Sequence, residues 1–228
     1  MDVPTVFAQS IAAATRSLNR RRSIDETLQT IAEVTRNSVP GFNQVGISTL
    51  EKGGKVVTRA CIGDLVPALD EIQYGLWEGP CVDTLQGCEV VAAPRLRQEQ
   101  RWSRYVPEAV AMGVRSQLAL RLHLGDGDTI GGINLYSTTC DDVSQNAQAL
   151  AGLFAAHSAV ALGHAQERAT LTEALQTRKI IGQAIGILME RYTINEDRAF
   201  AFLVRASSHA NIKLRMVAQQ LVDERNAE

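Results

Sequence analysis

The feature that most restricts the fold of this chain is the stretch from Ser144 to Arg191, which contains no proline. Glycine occurs in this stretch only at positions 152, 163, 182 and 186. Because proline is the strongest helix breaker, the stretch predicts one long helix or two nearly continuous ones. No apolar run reaches the roughly 18 residues that span a bilayer, so we expect a soluble protein without a membrane partner.

The C-terminal half of the predicted helix has a coiled-coil spacing. Its seam residues are separated by four and three positions: Leu171, Leu175, Arg178, Gly182, Ile185 and Met189. Residues 178–191 are apolar around most of a helical wheel, so they must be covered on more than one side. Two glycines one turn apart allow close helix packing, and we therefore predict a homodimer. The alternative is that the glycines only admit neighbouring helices of the same chain.

A second helix is predicted to follow Asn195, a cap residue, with the acidic Glu196 and Asp197 in its first turn. Its predicted core arc consists of Ala199, Phe200, Leu203, Val204, Ala206 and Ser207. The opposite arc carries basic and aromatic side chains: Arg198, Phe202, Arg205 and His209. Because cations hold phosphates and aromatic rings stack on unpaired bases, this arc is a candidate RNA surface. The alternative is a solvated face with Phe202 at the edge of the core.

A third helix is predicted from Ile212, with Asn211 as its cap. Its apolar face consists of Leu214, Val217, Ala218, Leu221 and Val222. Three short helices have a marginal core unless the first is anchored elsewhere. The C-terminal region is thus predicted to be an all-α three-helix bundle joined to the long helix.

The segment "IGQAIGILMERYTINEDRAFAFLVRASSHANIKLRMVAQQLV" resembles the ANTAR domain, a three-helix RNA-binding module of bacterial antiterminators. Residues that match the family pattern include Ala184, Gly186, Leu188, Met189, Ala199, Phe200, Ser207, Asn211 and Leu214. Ile185 stands where the family commonly has lysine. The resemblance implies an RNA-binding domain over residues 166–228. Its candidate RNA-binding residues are Lys179, Arg191, Arg198, Phe202, Arg205, His209, Lys213 and Arg215.

The first 165 residues are predicted to form an α+β domain. Amphipathic helices are predicted over residues 3–18 and over Ile24–Ser38, with Ser23 as the cap of the second. "QVGISTLEKGGKVVTRACIG" predicts a hairpin, and "VRSQLALRLHL" with "TIGGINLYS" predicts another. A loop and a helix, the strand "CEVVAA" and a helix in "RWSRYVPEAVAMG" lie between them. This order predicts an antiparallel sheet flanked by helices.

The segments "WEGPCVDTLQ", "VRSQLALRL" and "GGINLYS" resemble a GAF domain of the kind at the front of actinobacterial signalling proteins. GAF domains are small-molecule sensors, so the resemblance implies a ligand pocket between the sheet and the intervening loops, within residues 1–165. Candidate pocket residues are Tyr74, Trp77, Cys81, Trp102, Tyr105 and Arg121. For most of these aromatic residues, packing in the core is the competing interpretation. The ligand is not identified, and no metal or cofactor is expected.

Charge and cysteine content limit the other functions. The chain has a net charge of -2, but residues 178–228 hold 8 Lys/Arg against 6 Asp/Glu, a balance of +2. Cys61, Cys81, Cys88 and Cys140 form no CxxC pair, which is typical of a reduced, cytoplasmic protein. We find no P-loop or kinase motif, and we expect no catalytic residues.

The two resemblances together imply a regulator of transcription antitermination. Its GAF domain would sense a small molecule, and its dimeric ANTAR domain would bind paired hairpins in nascent RNA, not specific DNA sequences. One alternative is an interaction protein whose C-terminal region dimerises or docks a partner helix and never touches RNA. The other is a thiol-dependent methionine sulfoxide reductase that uses Cys81 and Cys88.

Overall fold

The computed structural model describes residues 23–51, 53–125 and 127–227. The helix predicted over residues 3–18 lies outside them. By their contacts the residues divide into two compact units, Met1–Ala165 and Gln166–Glu228, called here the N-terminal and C-terminal units. No helix within the described ranges is both long and apolar enough to cross a membrane.

The N-terminal unit begins with helix α1, Ile24–Ser38, whose start is fixed by a capping box. The Ser23 hydroxyl accepts a hydrogen bond from the Glu26 backbone N–H at 3.2 Å, and the Glu26 carboxylate accepts one from the Ser23 N–H at 2.9 Å. Two orphan donors of the first turn are thereby satisfied. The predicted helix and its Ser23 cap are confirmed.

One antiparallel sheet of five strands forms the centre of the N-terminal unit within the described residues. The strands are β1, Gln44–Leu50; β2, Val56–Ile62; β3, Val90–Ala93; β4, Ser116–His123; and β5, Thr129–Ser137, in the order β2-β1-β5-β4-β3. Both predicted hairpins are present, β1 with β2 and β4 with β5. Gly53 and Gly54 have φ of 95° and 82° in the first hairpin turn, a conformation that favours glycine.

Alternation along the strands gives the sheet two different faces. One face is apolar and packs under α1 and the long helix, with Val45, Ile47, Leu118, Leu120, Leu122, Ile133 and Leu135 in its core. The opposite face carries buried polar side chains: Ser48, Gln117, Asn134 and Tyr136. Helices between the two hairpins cover that polar face, so neither face of the sheet is left to solvent.

Two helices stand where the sequence predicted a loop and a helix. They are α2, Val66–Leu76, and α3, Pro80–Leu85. Each has a proline in its first turn, where the missing N–H costs no helical hydrogen bond. Helix α4, Tyr105–Ala111, follows β3, within the segment predicted to be helical.

A single helix, α5, runs from Gln145 to Tyr192, as the absence of proline predicted. It is followed by α6, Glu196–Ala210, and α7, Leu214–Ala227. The core of the C-terminal unit combines residues of all three helices: Ala184, Leu188, Ala199, Leu203, Ala218 and Val222. The predicted long helix and helical bundle are confirmed.

Two details of the bundle differ from the prediction. Asn211 is the C-cap of α6, with φ 52° and ψ 39°, and does not start the next helix. Asparagine tolerates this left-handed conformation, and its N–H bonds the carbonyls that end α6. In addition, Phe200 and Val204 are exposed and not buried in the core arc. The core of the bundle buries only Ala199 and Leu203 of α6, so the flanks of the predicted arc stay accessible to solvent.

Candidate functional site

A buried carboxylate lies at the centre of the polar layer between the sheet and α2. Asp70, on α2, is 2% exposed. Its Oδ2 accepts a hydrogen bond from Thr58 Oγ1 at 2.6 Å and a longer one from Ser48 at 3.4 Å. Its Oδ1 accepts one from the Tyr136 hydroxyl at 2.7 Å and another from Asn134 Nδ2 at 3.4 Å. Asp70 therefore ties α2 to three strands of the sheet.

The hydrogen bonds continue from Asp70 toward α3 and α4. Gln73 donates to the Tyr136 hydroxyl at 2.9 Å, and its side-chain oxygen accepts from the Cys81 backbone N–H at 2.9 Å. Gln117 donates to the same Gln73 oxygen at 3.4 Å and accepts from the Tyr105 hydroxyl at 2.6 Å. The result is a continuous buried network, which we call the Asp70 network.

Local irregularities in β1 and β2 make room for the Asp70 network. The register of the two strands shifts between Ile47 and Ser48, so Ser48 lies opposite Thr58 and both hydroxyls reach Asp70. A bulge of this kind re-aims a side chain to the other face of a sheet. A Cβ at Gly46 would lie 2.7 Å from Val66, so this glycine allows α2 to approach the sheet closely.

Burial controls the protonation of the Asp70 network. Loss of hydration raises the pKa of Asp70, although hydrogen bonds from Thr58 and Tyr136 act in the opposite direction. Burial also raises the pKa of Tyr74 well above its ordinary value. Asn134 Oδ1 is buried and has no hydrogen-bond partner among the described residues. A buried acceptor without a donor is unusual and calls for an explanation.

An open cavity of about 340 Å³ adjoins the Asp70 network between β2 and α2. It is lined by Val56, Thr58, Cys61, Pro67, Asp70, Glu71 and Tyr74. Its size is at the lower end of the range of about 300–1,000 Å³ for small-molecule sites. A ligand in it would meet carboxylate oxygens, a threonine hydroxyl and apolar side chains.

The six predicted pocket residues do not form one cluster. The Tyr74 hydroxyl donates to Ser48 Oγ at 2.7 Å and lies 3.5 Å from the Cys81 sulfur. Tyr105 is connected to the Asp70 network by its hydrogen bond to Gln117. Trp102 packs in the apolar core beside α4, with its indole N–H on Asp83 at 3.2 Å.

Two of the predicted pocket residues lie away from the Asp70 network. Trp77 is the exposed C-cap of α2. Arg121 pairs with Glu89 at 2.8 Å and lines a different cavity, of about 380 Å³. Sequence reasoning missed Asp70, Gln73 and Asn134. The alternation of Asn134 and Tyr136 with apolar residues in β5 was the available signal for Asn134, whereas Asp70 and Gln73 on α2 had none.

In the C-terminal unit, the arc of α6 opposite its core is exposed. Arg198, Phe202, Arg205 and His209 are all accessible to solvent. Phe202 is 45% exposed, so it is not tucked against the core. It contacts Tyr192, at the end of α5, with the ring centroids 6.1 Å apart and the planes tilted by 30°. Tyr192 is 56% exposed, and sequence reasoning did not single it out.

The remaining candidate RNA-binding residues lie elsewhere in the C-terminal unit. Lys179, Arg191 and Lys213 are exposed. Arg215 is half-buried and forms an ion pair with Glu173 on α5, with 3.1 Å between Nη1 and Oε1. Binding of phosphate by Arg215 would therefore compete with an internal carboxylate.

The predicted dimer seam is largely uncovered in the single chain. Leu171 and Leu175 are 61% and 59% exposed, and Met189 is also exposed, whereas Ile185 packs against the core of the bundle. A Cβ added at Gly182 or Gly186 would meet no heavy atom within 4 Å beyond the neighbouring helix backbone. These glycines therefore do not admit a described helix of the same chain.

The comparisons with known proteins agree with these two units. A family model described as a GAF domain matches residues 21–163, and one described as an ANTAR domain matches residues 169–222. The chain belongs to the GAF-ANTAR proteins. None of the curated proteins compared with the chain matches it.

Several solved structures share the fold of this GAF-ANTAR protein. The GAF domain of an Acinetobacter phosphoenolpyruvate-protein phosphotransferase is 14% identical with a TM-score of 0.56, covering 72% of this chain and 96% of that one. The free methionine-R-sulfoxide reductase of Neisseria meningitidis, solved with its substrate, is 15% identical with a TM-score of 0.56, covering 73% and 91%. The phytochrome photosensory core module of Stigmatella aurantiaca is 14% identical with a TM-score of 0.56, covering 86% of this chain but only 43% of that one. At these identities the likeness shows the fold alone.

The domain content of the GAF-ANTAR protein is that of a signal-responsive regulator and not of an enzyme. The reductase-like structures share only the GAF fold. Cys81 is fully buried, and burial raises its pKa to about 12, which disfavours the thiolate needed for attack on a sulfoxide. Cys88 is exposed, and all four cysteines are free. Within the described ranges, no three His, Cys, Asp or Glu side chains cluster as a metal site would require.

Proposed function

We propose that this GAF-ANTAR protein is a dimeric RNA-binding regulator of transcription antitermination. Residues 1–165 would sense a small molecule, and residues 166–228 would bind paired hairpins in a nascent transcript. Acting on nascent transcripts would place the protein in the cytoplasm. The observation that carries the proposal is the exposed arc of Arg198, Phe202, Arg205 and His209 within the segment that matches the ANTAR domain.

The chemistry of this arc suits unpaired RNA. The two arginines supply positive charge for phosphates, and the Phe202 and Tyr192 rings offer exposed aromatic surface to bases splayed from a loop. The N-cap of α6 fixes the backbone at Arg198, because Asn195 Oδ1 accepts a hydrogen bond from the Arg198 N–H at 3.1 Å. Base edges in a duplex are less accessible to flat rings, so loops are the expected targets.

Dimerisation is proposed from the uncovered seam of α5. Leu171, Leu175 and Met189 expose apolar surface in a row, and Gly182 and Gly186 leave the backbone open to a close neighbour. A second copy of the same helix fits this spacing, because coiled-coil seams pair like with like. Two copies would present two RNA surfaces, which suits a target with two hairpins.

The proposal is tested by a gel-shift titration of the full chain against a dual-hairpin RNA, with duplex DNA of the same length as competitor. The double variant Arg198→Ala/Arg205→Ala should lose hairpin binding while its dimer mass stays unchanged. The matched control is Arg36→Ala/Arg168→Ala, which removes the same charge at exposed positions outside the arc. Equal binding by both double variants would exclude this arc as the RNA surface.

The second candidate is an interaction protein whose C-terminal unit binds only protein. The exposed apolar side chains Phe200, Val204 and Met216 are the observation in its favour. Under that function the parent protein binds neither hairpin RNA nor duplex DNA, even at low salt. The same titration therefore separates the two functions.

A further inference from the structure

The cavity beside Asp70 has an unusual charge balance. Its described lining includes two carboxylates, those of Asp70 and Glu71, and no lysine, arginine or histidine. The remaining lining is a threonine hydroxyl, a tyrosine, a cysteine and apolar side chains. Acceptors and negative charge therefore exceed donors and positive charge at this site.

The hydrogen bonds of Asp70 leave that imbalance in place. The donors that reach its two oxygens are Thr58, Ser48, Tyr136 and Asn134, all of them neutral. A buried carboxylate normally pairs with a cation or shifts its pKa, because neutral donors offset only part of the lost hydration. What Asp70 lacks among the described residues is a cationic partner, and a cationic ligand in the cavity would supply one.

We propose that this cavity binds a small molecule that carries a protonated amine or amidine. Its N–H groups would donate to the Asp70 and Glu71 carboxylates at the cavity floor and rim. Its alkyl or ring portion would lie against Val56, Pro67 and the Tyr74 ring. Anions, including nucleotides, would bring their phosphates toward two carboxylates without a compensating cation, so the site selects against them. This inference rests on the proposed sensor role of the GAF domain and names the ligand class for it.

A purely structural role for Asp70 is the alternative, since its hydrogen bonds hold α2 against the sheet. Glu71 separates the two roles. It is exposed and forms part of the cavity lining, but it makes none of the hydrogen bonds that hold α2. A change at Glu71 should therefore affect a cationic ligand and leave the packing of α2 intact.

The experiment compares three probes with one carbon skeleton and different charge: n-butylamine, n-butanol and butyrate. Binding to the full chain is measured by saturation-transfer NMR titration at neutral pH. The amine should bind at least about tenfold more tightly than the alcohol or the acid, because it alone pairs with a buried carboxylate. Butyrate that binds as tightly as butylamine, or butylamine that fails to bind at about 20 mM, overturns the proposal.

The variants locate the charge recognition. Asp70→Asn should weaken the binding of butylamine at least about tenfold. Glu71→Gln should weaken it about two- to fivefold, since an exposed ion pair contributes less than a buried one. Glu89→Gln, an exposed carboxylate in the lining of the other cavity, should leave affinity unchanged. Circular dichroism checks that Asp70→Asn is folded, and Glu71→Gln decides the outcome if it is not. Equal effects of Glu71→Gln and Glu89→Gln would refute the site.

The titration also separates this inference from the proposed function. Butylamine binding that depends on Glu71 but leaves hairpin affinity unchanged supports the cation site and counts against its role in signalling. If the parent protein does not bind hairpin RNA, the RNA function is refuted, and the measurements with the amine, alcohol and acid probes are unaffected.

Discussion

Burial decides the reactivity of single side chains in the GAF domain. The Cys81 thiol lies within the Asp70 network, and burial together with the nearby Asp70 charge raises its pKa to about 12. Cys88, seven positions later, is exposed. Although the two residues are close in sequence, the fold gives them opposite access to solvent.

We predict that iodoacetamide alkylates Cys88 in the native protein while Cys81 stays unmodified. The reason is that the reactive thiolate of Cys81 is scarce below pH about 10 and the sulfur is inaccessible. Peptide mass spectrometry after timed labelling at pH 7 to 9 measures both sites, and labelling in denaturant is the control. Rapid native labelling of Cys81 would contradict the prediction and restore the reductase alternative.

The Phe202 ring provides the second prediction at the scale of a residue. Phe202→Ala should weaken the binding of hairpin RNA about five- to 150-fold, because stacking on one base contributes about 1–3 kcal/mol. Phe200→Ala is the matched control, since Phe200 is equally exposed but lies on the other flank of α6. Affinities are measured by fluorescence anisotropy.

A hairpin RNA that lacks one loop base completes a double-mutant cycle with Phe202→Ala. If the ring stacks on the missing base, Phe202→Ala should have almost no further effect on this RNA. Tyr192→Ala should show the same dependence, because its ring contacts that of Phe202. Full, additive losses on the abasic RNA would show that the rings act only through the folding of the bundle.

At the scale of secondary structure, periodicity alone predicted the elements that have one apolar side. Alternating leucines predicted β4. The absence of proline, together with an apolar stripe, predicted α5. The exception was α2, which stands in the segment predicted as a loop and whose inner side carries Asp70 and Gln73. The buried side of this helix mixes Asp70 and Gln73 with Val66 and Leu69, so its apolar stripe is interrupted. The centre of the candidate ligand site was missed for that reason.

The glycines of α5 give a prediction in which stability and association change in opposite directions. Gly182→Ala should stabilise a single helix by roughly 0.5–1 kcal/mol, because alanine restricts the unfolded chain and its Cβ meets no other described part of the chain within 4 Å. In a close helix pair, the same methyl group should weaken the dimer. Thermal unfolding and sedimentation equilibrium over a range of concentrations measure the two effects.

Gln183→Ala is the control for this variant, because Gln183 is exposed on the narrow polar strip of the same turn. It should change neither the dimer mass nor its dissociation constant. A Gly182→Ala protein that dimerises as tightly as the parent would place the dimer contact elsewhere on the chain.

For the whole molecule, the distribution of charge matters more than the total. The net charge is -2, yet residues 178–228 carry a surplus of two basic residues. Long-range attraction to RNA is therefore weak, and affinity must come from local contacts. A substitution that removes one cation from a phosphate should reduce the slope of log affinity against log salt by about 0.7 for single-stranded RNA. The charge balance thus makes a second bound hairpin more important for tight binding.

We predict that RNA with two hairpins binds the dimer about 10²- to 10⁴-fold more tightly than RNA with one, because the second contact becomes intramolecular. Gly182→Leu, which should prevent close pairing of α5, is expected to bind single hairpins like the parent and to lose the advantage of the dual target. Anisotropy titrations with one and two hairpins, at a fixed salt concentration, measure both ratios. If the monomeric variant kept the advantage, one C-terminal unit would hold both hairpins, and the uncovered seam of α5 would need a partner other than a second copy.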